Sequence, residues 1–311
     1  MNAIEKLREI SETLTHSGIE AAGKEAGLLI MKGLNIDMAG LYRDNPELDD
    51  RQNKIIEEMA GRRSRREPLQ YIVGCTYFLS LKLLVGNGVL IPRPETELMA
   101  EYAVGIIRTQ NSELRTQILK QEQRSAMLFP TLEKGGKGGF EILDLCTGSG
   151  CLALALAGEF PDAQVYGTDI SETALSYSEK NADINEIKNV TFLKGHLFEP
   201  LDTEIPEQLF DFIISNPPYI RTDDIKGLQP EVRDWEPVGA LDGGQDGLDY
   251  YREIIPAARR FLKHRGMLMF ELGAGCANHV AYMMNEAGYT DVKVRKDYAG
   301  IERIIHARWI K

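Results

Sequence analysis

Two short stretches of this chain carry residue types that can do chemistry. The first is the loop closing "FDFIISNPPYIRT", residues 210–222. An apolar run from Phe210 to Ser215 stops at Asn216 and is followed by Pro217, Pro218 and Tyr219. Neither proline has a backbone N–H, so the loop offers carbonyl oxygens with little competing donor character, and Asn216 adds a side-chain oxygen. Such a surface selects an NH2 group, which needs two acceptors. Tyr219 sets an aromatic face and a hydroxyl beside it. A planar NH2 group is a poor nucleophile because its lone pair is delocalised. Holding both protons on fixed acceptors bends the nitrogen toward tetrahedral geometry and aims the lone pair at an electrophile. The nitrogen can lose its proton during or after attack, so no strong base is required. The plainer alternative is an ordinary turn, because Asn and Pro are common loop residues.

The second stretch is "LDLCTGSGCLALALA", residues 143–157. Gly148 and Gly150 close a tight strand-to-helix turn, and without Cβ atoms they let a ligand press against backbone. Further on, Asp169 ends "VYGTDI", where a carboxylate can accept both hydroxyls of a ribose. The pattern is D-x-x-T-G-S-G, not G-x-G-x-x-G, and no further glycine supports a pyrophosphate cradle. A nucleoside without phosphates suits it better.

Both stretches need strands to position them. From residue 140 onward strands and helices alternate: "EILDLCT", "QVYGTDI", "VTFLKG", "FDFIISN" and "GMLMFELG" read as strands separated by helices, with "VKVRK" and "ERIIHARWI" as a terminal strand pair. This rhythm predicts α/β architecture, a mostly parallel sheet covered by helices on both faces. A ligand then lies at the carboxyl ends of the strands, near the topological switch point.

The first 75 residues behave differently. Apolar residues recur at helical spacing, as in Ile4, Leu7, Ile10 and Leu14, which predicts a small helical domain over 1–75. Its run "RRSRRE", 62–67, reads either as a solvated helix end whose cations suit the dipole or as a docking patch for an acidic partner. Residues 76–92 read as a β-hairpin linker, with Asn87-Gly88 as its turn signal. A helix then opens the domain at 93–311, with Pro94 in its first turn and Glu95 and Glu97 at the positive end of its dipole. Residues 109–139 lose the pattern and read as an insertion, mobile toward "KGGKGG".

Composition narrows the class. With 311 residues, 43% apolar and 27% charged, the chain can bury a real core and suits two domains. A net charge of −11 counts against a general nucleic-acid binder. Four cysteines without a C-x-x-C pair read as reduced thiols, and five scattered histidines offer no zinc spacing, so no metal is expected. The amphipathic, charged start is unlike a signal peptide, and no window reaches the length of a membrane span. The expectation is a soluble, cytoplasmic protein.

"DLCTGSG", "TDIS" and "SNPPY", in this order, resemble a class I S-adenosylmethionine-dependent methyltransferase of the Rossmann-like type that acts on planar nitrogens. "EPLQYIVG", "LIPRPETE", "ISNPPYI", "ALDGGQDGLDYYR" and "DYAGIERI" extend the resemblance over almost the whole chain, to the peptide-chain release factor glutamine N5-methyltransferases (the HemK/PrmC family). The resemblance implies methyl transfer from S-adenosyl-L-methionine to the side-chain amide of the Gln in the Gly-Gly-Gln motif of class I release factors. It implies that Cys146, Thr147, Gly148, Ser149 and Gly150 line the methionine part of the cofactor. Asp169 takes the ribose hydroxyls, and Gly195, His196 and Leu197 approach the adenine. Asn216, touching cofactor and substrate alike, holds the substrate amide with the Pro217 carbonyl, Pro218 completes that surface, and Tyr219 packs over it. The release factor is the implied partner; neither membrane nor direct nucleic-acid contact is expected.

Two residues depart from the family's pattern. Cys146 stands where it usually has Gly, and His196 where an acidic residue commonly meets the adenine amino group. "LDGGQDG" also contains Gly243-Gly244-Gln245, the tripeptide of the implied substrate; turn chemistry explains it, with self-methylation of Gln245 as the other reading. Two other function classes compete. An adenine N6-methyltransferase would have to flip a base and grip phosphates, and a non-enzymatic cofactor sensor would have no use for the acceptor loop.

Overall fold

A computed structural model describes residues 1–109 and 139–311. The expected mobile insertion, 109–139, lies outside the described residues apart from its two ends. The chain divides into two compact units. One comprises Met1–Thr76, Leu84–Ile91 and Lys226–Pro237, the other Tyr77–Leu83, Pro92–Ile225 and Val238–Lys311.

The first unit is built from helices α1 (Ala3–His16), α2 (Ala22–Leu34), α3 (Asp50–Ser64) and α4 (Leu69–Val73), with a π-turn at Gly40–Asp44. Two starts are set by the sequence. Asn2 accepts from the Glu5 N–H while the Glu5 side chain accepts from the Asn2 N–H, and Asp49 and Gln52 repeat this reciprocal cap on α3. The apolar stripe then buries Ile10, Leu14, Leu29, Ile30, Leu41 and Ile56 in one core.

The arginine run at the end of α3 is divided: Arg65 stays exposed, as the solvated-end reading expects, while Arg62, Arg63 and Arg66 pair within the chain. Arg62 pairs with Glu67, Arg63 with Glu25 and Glu231, and Arg66 with Glu231. Arg63 is 5% exposed, so its acidic partners come from its own chain, one of them in the segment Lys226–Pro237. Desolvating that guanidinium is costly unless it is paired on this scale.

The hairpin is shorter and earlier than its sequence signal. Strands β1 (Cys75–Phe78) and β2 (Leu81–Leu84) turn at Leu79-Ser80, not at Asn87-Gly88. Leu79 takes a positive φ of 51° there, and its N–H donates to Glu97 Oε1 at 2.8 Å. That bond, reaching 18 residues along the sequence, holds a turn in which Leu79 takes a conformation unusual for its type.

The second unit carries a seven-stranded sheet: β3 (Glu141–Leu145), β4 (Gln164–Asp169), β5 (Val190–Lys194), β6 (Phe210–Ser215), β7 (Leu262–Glu271), β8 (Tyr289–Lys296) and β9 (Glu302–Trp309). Its order is β5-β4-β3-β6-β7-β9-β8, parallel from β5 to β7, with β9 antiparallel to β7 and to β8. The mostly parallel class I sheet with its terminal antiparallel pair is as expected. One face packs under α5 (94–109, the described part), α6 (Cys151–Glu159) and α7 (Glu172–Ile184); the other packs under α8 (Glu199–Glu204), α10 (Asp249–Phe261) and α11 (Ala277–Glu286), with the short α9 (Pro230–Arg233) in the other unit. β3 and β6 are buried on both faces, which is why they read as unbroken apolar runs. Among the described residues, no helix is long and apolar enough to cross a membrane.

Candidate active site

The chain runs outward from β3 through β4 to β5 and then returns to place β6 on the other side of β3. The two central strands therefore form the switch point where a parallel sheet opens a crevice. Both chemistry-bearing stretches sit at its carboxyl edge. Ser215, last in β6, donates to the Leu145 carbonyl, last in β3, at 2.8 Å.

The glycine turn is fixed by its near neighbours. Buried Asp144 accepts from the Thr147 hydroxyl (2.6 Å) and the Ala153 N–H (3.2 Å) through Oδ2, while Oδ1 has no partner among the described residues. Burial pushes this carboxyl up to about 7. Ser178 donates to the Gly148 carbonyl and Asn181 to the Ser149 carbonyl, at 3.0 and 2.9 Å. Thr147 and Ser149 are thereby buried as parts of the turn's frame. Gly148 has φ 57°, and a Cβ there would meet only the Cys146 carbonyl, at 4.0 Å. Backbone at that point is open to a close ligand. Cys146 adopts φ 59°, a left-handed conformation that glycine takes more freely than a residue with a Cβ.

Asp169 ends β4 beside that turn. Its Oδ2 accepts from the Gly148 N–H at 2.9 Å and Oδ1 from the Ser171 N–H at 2.8 Å. A carboxylate has about four acceptor positions, so capacity remains for a pair of hydroxyls. Burial raises its pKa, and the backbone N–H groups counter that. The segment after β5 joins the same cluster, because the Gly195 N–H donates to the Asp169 carbonyl at 3.0 Å. Leu197 is buried with φ 48°. The His196 ring is tied to Glu253, its Nε2 2.7 Å from Oε1.

At the end of β6, Pro217 and Pro218 are buried and Asn216 and Tyr219 partly so. Asn216 Nδ2 donates to the Thr96 hydroxyl at 3.2 Å. Thr96 donates to Glu271 Oε2 at 2.7 Å, and the Tyr219 hydroxyl donates to Glu271 Oε1 at 3.1 Å. Among the described residues, Asn216 Oδ1 and the Pro217 carbonyl accept no hydrogen bond. The loop thus keeps two acceptors uncommitted while one of the two N–H donors of the Asn216 side chain is spent inside the protein.

Behind the loop runs the segment 241–247. The Ile220 N–H donates to the Leu241 carbonyl and the Gly243 N–H to the Ile220 carbonyl, at 2.9 and 2.8 Å. A Cβ on Gly243 would lie 2.7 Å from Tyr219 Cα and 2.8 Å from the Pro218 carbonyl. Close approach to the proline loop accounts for that glycine of the Gly-Gly-Gln tripeptide. The Gln245 side chain is exposed.

Sequence reasoning passed over Asp144, Thr96 and Glu271. Thr96 hides inside "RPETE" as a first-turn helix residue. Glu271 carried a legible signal, since a lone carboxylate ends the apolar run "MLMFE" at the carboxyl end of a parallel strand.

Relatives with the same sequence pattern are known. A family model described as methyltransferase domain matches residues 137–290, and one described as PrmC N-terminal domain matches 5–74. A release factor glutamine methyltransferase of Thermodesulfovibrio yellowstonii is 41% identical over 98% of this chain and 97% of its own. One from Geobacter sulfurreducens is 40% identical over 95% and 92%. Among solved structures, the hMettl16 catalytic domain shares the fold, with TM-score 0.52 and 14% identity over 78% of this chain and 82% of that one. By sequence and over its whole length, the chain belongs to the release factor glutamine methyltransferase family.

Proposed function

We propose that this enzyme transfers a methyl group from S-adenosyl-L-methionine to the side-chain amide nitrogen (N5) of the Gln in the Gly-Gly-Gln motif of class I peptide-chain release factors, in the cytoplasm, tuning translation termination. The observation that carries the reading is the pair of uncommitted acceptors, Asn216 Oδ1 and the Pro217 carbonyl, at the sheet's switch point. A primary amide brings two N–H donors, and the loop answers with two acceptors.

S-Adenosylmethionine supplies an electrophilic methyl group on a sulfonium. The open backbone at Gly148, within the turn Cys146 to Gly150, suits its methionine part, and Asp169 suits the ribose. Asn216 and Pro217 hold the amide protons, fix the nitrogen and draw its lone pair out of conjugation. Buried Pro218 shapes the loop and excludes water from it. Tyr219 flanks the amide while its hydroxyl ties the loop to Glu271. The helical unit, residues 1–75 in sequence, is assigned to contact with the release factor.

Incubating the enzyme with labelled S-adenosylmethionine and, separately, a release factor, duplex DNA and ribosomal proteins tests the assignment. Label on the Gly-Gly-Gln glutamine of the release factor is expected. Label confined to DNA would establish the adenine-methylating alternative instead.

A further inference from the structure

Glu271 and Thr96 are assigned no contact with cofactor or substrate, yet both are about 1% exposed and bonded to residues of the acceptor loop. Their hydrogen bonds have only one consistent direction when Glu271 is ionised. A carboxylate accepts and never donates, so the hydroxyls of Thr96 and Tyr219 must both give it their protons. A threonine hydroxyl has one proton. With that proton on Glu271, Thr96 can only accept from Asn216, so it must face the NH2 half of that amide and not the oxygen. The two halves of an amide are otherwise nearly interchangeable in shape. What decides between them here is a chain of two hydrogen bonds that ends on a buried charge.

We propose that Glu271, acting through Thr96, is a positioning residue that sets the polarity of the acceptor loop, keeping Asn216 Oδ1 toward the substrate amide. The inference rests on the amide-methylation reading and deepens it. Were the chain reversed, Asn216 would present its own NH2 to the substrate's NH2, donor against donor, and the amide would not be held. The same device accounts for the third arm of the network. Tyr219 is fixed by the other oxygen of the same carboxylate, so one group aligns both ends of the loop.

The reversal can be built deliberately. Asn216→Asp puts an oxygen against Thr96, which then has two acceptors competing for one proton. Glu271→Gln by itself offers Thr96 an N–H and disorders the relay. Combined, the two changes restore every partner in the opposite sense. The amide introduced by Glu271→Gln donates to Thr96, and Thr96 donates to the carboxylate introduced by Asn216→Asp. The remaining oxygen of that carboxylate stays available to the substrate.

Single-turnover methylation of a release factor at saturating S-adenosylmethionine tests this. Thr96→Val, which keeps the shape and removes the hydroxyl, should slow turnover by about tenfold to a hundredfold. Thr96→Ser should run within about threefold of the parent, a difference well below one lost hydrogen bond to a charged group. Cofactor affinity should be unchanged in both. The double variant Asn216→Asp/Glu271→Gln should be faster than either single one.

A pH profile adds an independent readout. Burial raises the Glu271 carboxyl, Glu95 adds to this, and Arg303 and the Thr96 and Tyr219 hydroxyls oppose it; Tyr251 and Cys151 also lie in its field. The parent rate should therefore fall on the acid side as Glu271 takes a proton, and Glu271→Gln should lack that limb. Thr96→Val at the parent rate, or a double variant whose loss is the product of the single losses, overturns the relay. A parent that leaves the glutamine unmodified overturns the functional reading, and the relay with it.

Discussion

The turns that end β3 and β6 lie side by side in one sheet but are braced in opposite ways. The β3 turn is held by its sequence neighbours. Asp144 reaches three and nine residues ahead to Thr147 and Ala153, Asp169 binds the Gly148 N–H from 21 residues away, and Asn181 reaches Ser149 from 32. The β6 turn is held from a distance. Thr96 is 120 residues from Asn216, Glu271 is 52 from Tyr219, and the backbone at Gly243 closes the rear. A locally braced turn can form with its βαβ unit. A remotely braced one is complete only when the whole sheet is assembled, so its alignment depends on the rest of the unit. Binding of the cofactor and alignment of the amide should accordingly fail separately.

The largest separation is expected at Asn216. Asn216→Ala leaves one amide proton unheld and should cost about 2.7–4 kcal/mol, roughly 100- to 1,000-fold in turnover, with cofactor affinity little changed. Asn216→Asp retains an acceptor and should fall between Ala and the parent, short of full activity because Thr96 has a single proton to give. Rapid-quench kinetics on a release factor measures both, and an Ala variant at the parent rate sinks the acceptor-loop mechanism.

The opposite pattern belongs to Asp169. Asp169→Ala removes the carboxylate that suits the ribose and should weaken S-adenosylmethionine binding by about 1–3 kcal/mol. Calorimetry showing undiminished affinity would take Asp169 out of the site.

Gly243→Ala tests remote bracing from behind the acceptor loop, with no substitution at a residue assigned to either ligand. Its Cβ would lie 2.7 Å from Tyr219 Cα, so backbone must move, an overpacking cost of about 1–3 kcal/mol. Turnover should drop by about tenfold with the cofactor dissociation constant within about twofold, a change near the noise of such comparisons. An equal loss in cofactor affinity would mean that the two turns move together.

The smallest effect concerns Asp144. Its carboxyl titrates at about 7 when folded, above the ordinary carboxylate value of 3.8, so between those values the native state holds a proton that the unfolded chain has released. That contribution to stability is fully present at low pH and is lost as pH rises through about 7. Between about pH 6 and about pH 8 the parent should lose about 1 kcal/mol relative to Asp144→Asn. Urea midpoints of the two proteins at both pH values check this, and parallel curves would show that Asp144 stays ionised.

Much of this molecule was determined locally. The βα rhythm after residue 140, the helical stripe of α1 and the reciprocal caps at Asn2 and Asp49 follow from short-range periodicity and hydrogen bonding. The same is true of D-x-x-T-G-S-G, whose partners lie within a few dozen residues, and of the prolines, which remove donors wherever they stand. Tertiary structure decided the rest, because it depended on groups that meet only after folding. The hairpin turned at Leu79-Ser80, where Glu97 caps Leu79, while Asn87-Gly88 made its turn beyond the strand pair, with the Val89 N–H donating to the Gly86 carbonyl. Arg63 and Arg66 of "RRSRRE" found Glu25 and Glu231 in their own chain, which no charge pattern around residue 62 encodes. The orientation of Asn216 was settled in the same way. Sequence placed an amide at the end of a strand, but which of its two ends faces outward is a matter of where one threonine proton goes, and that was fixed by a carboxylate on the neighbouring strand.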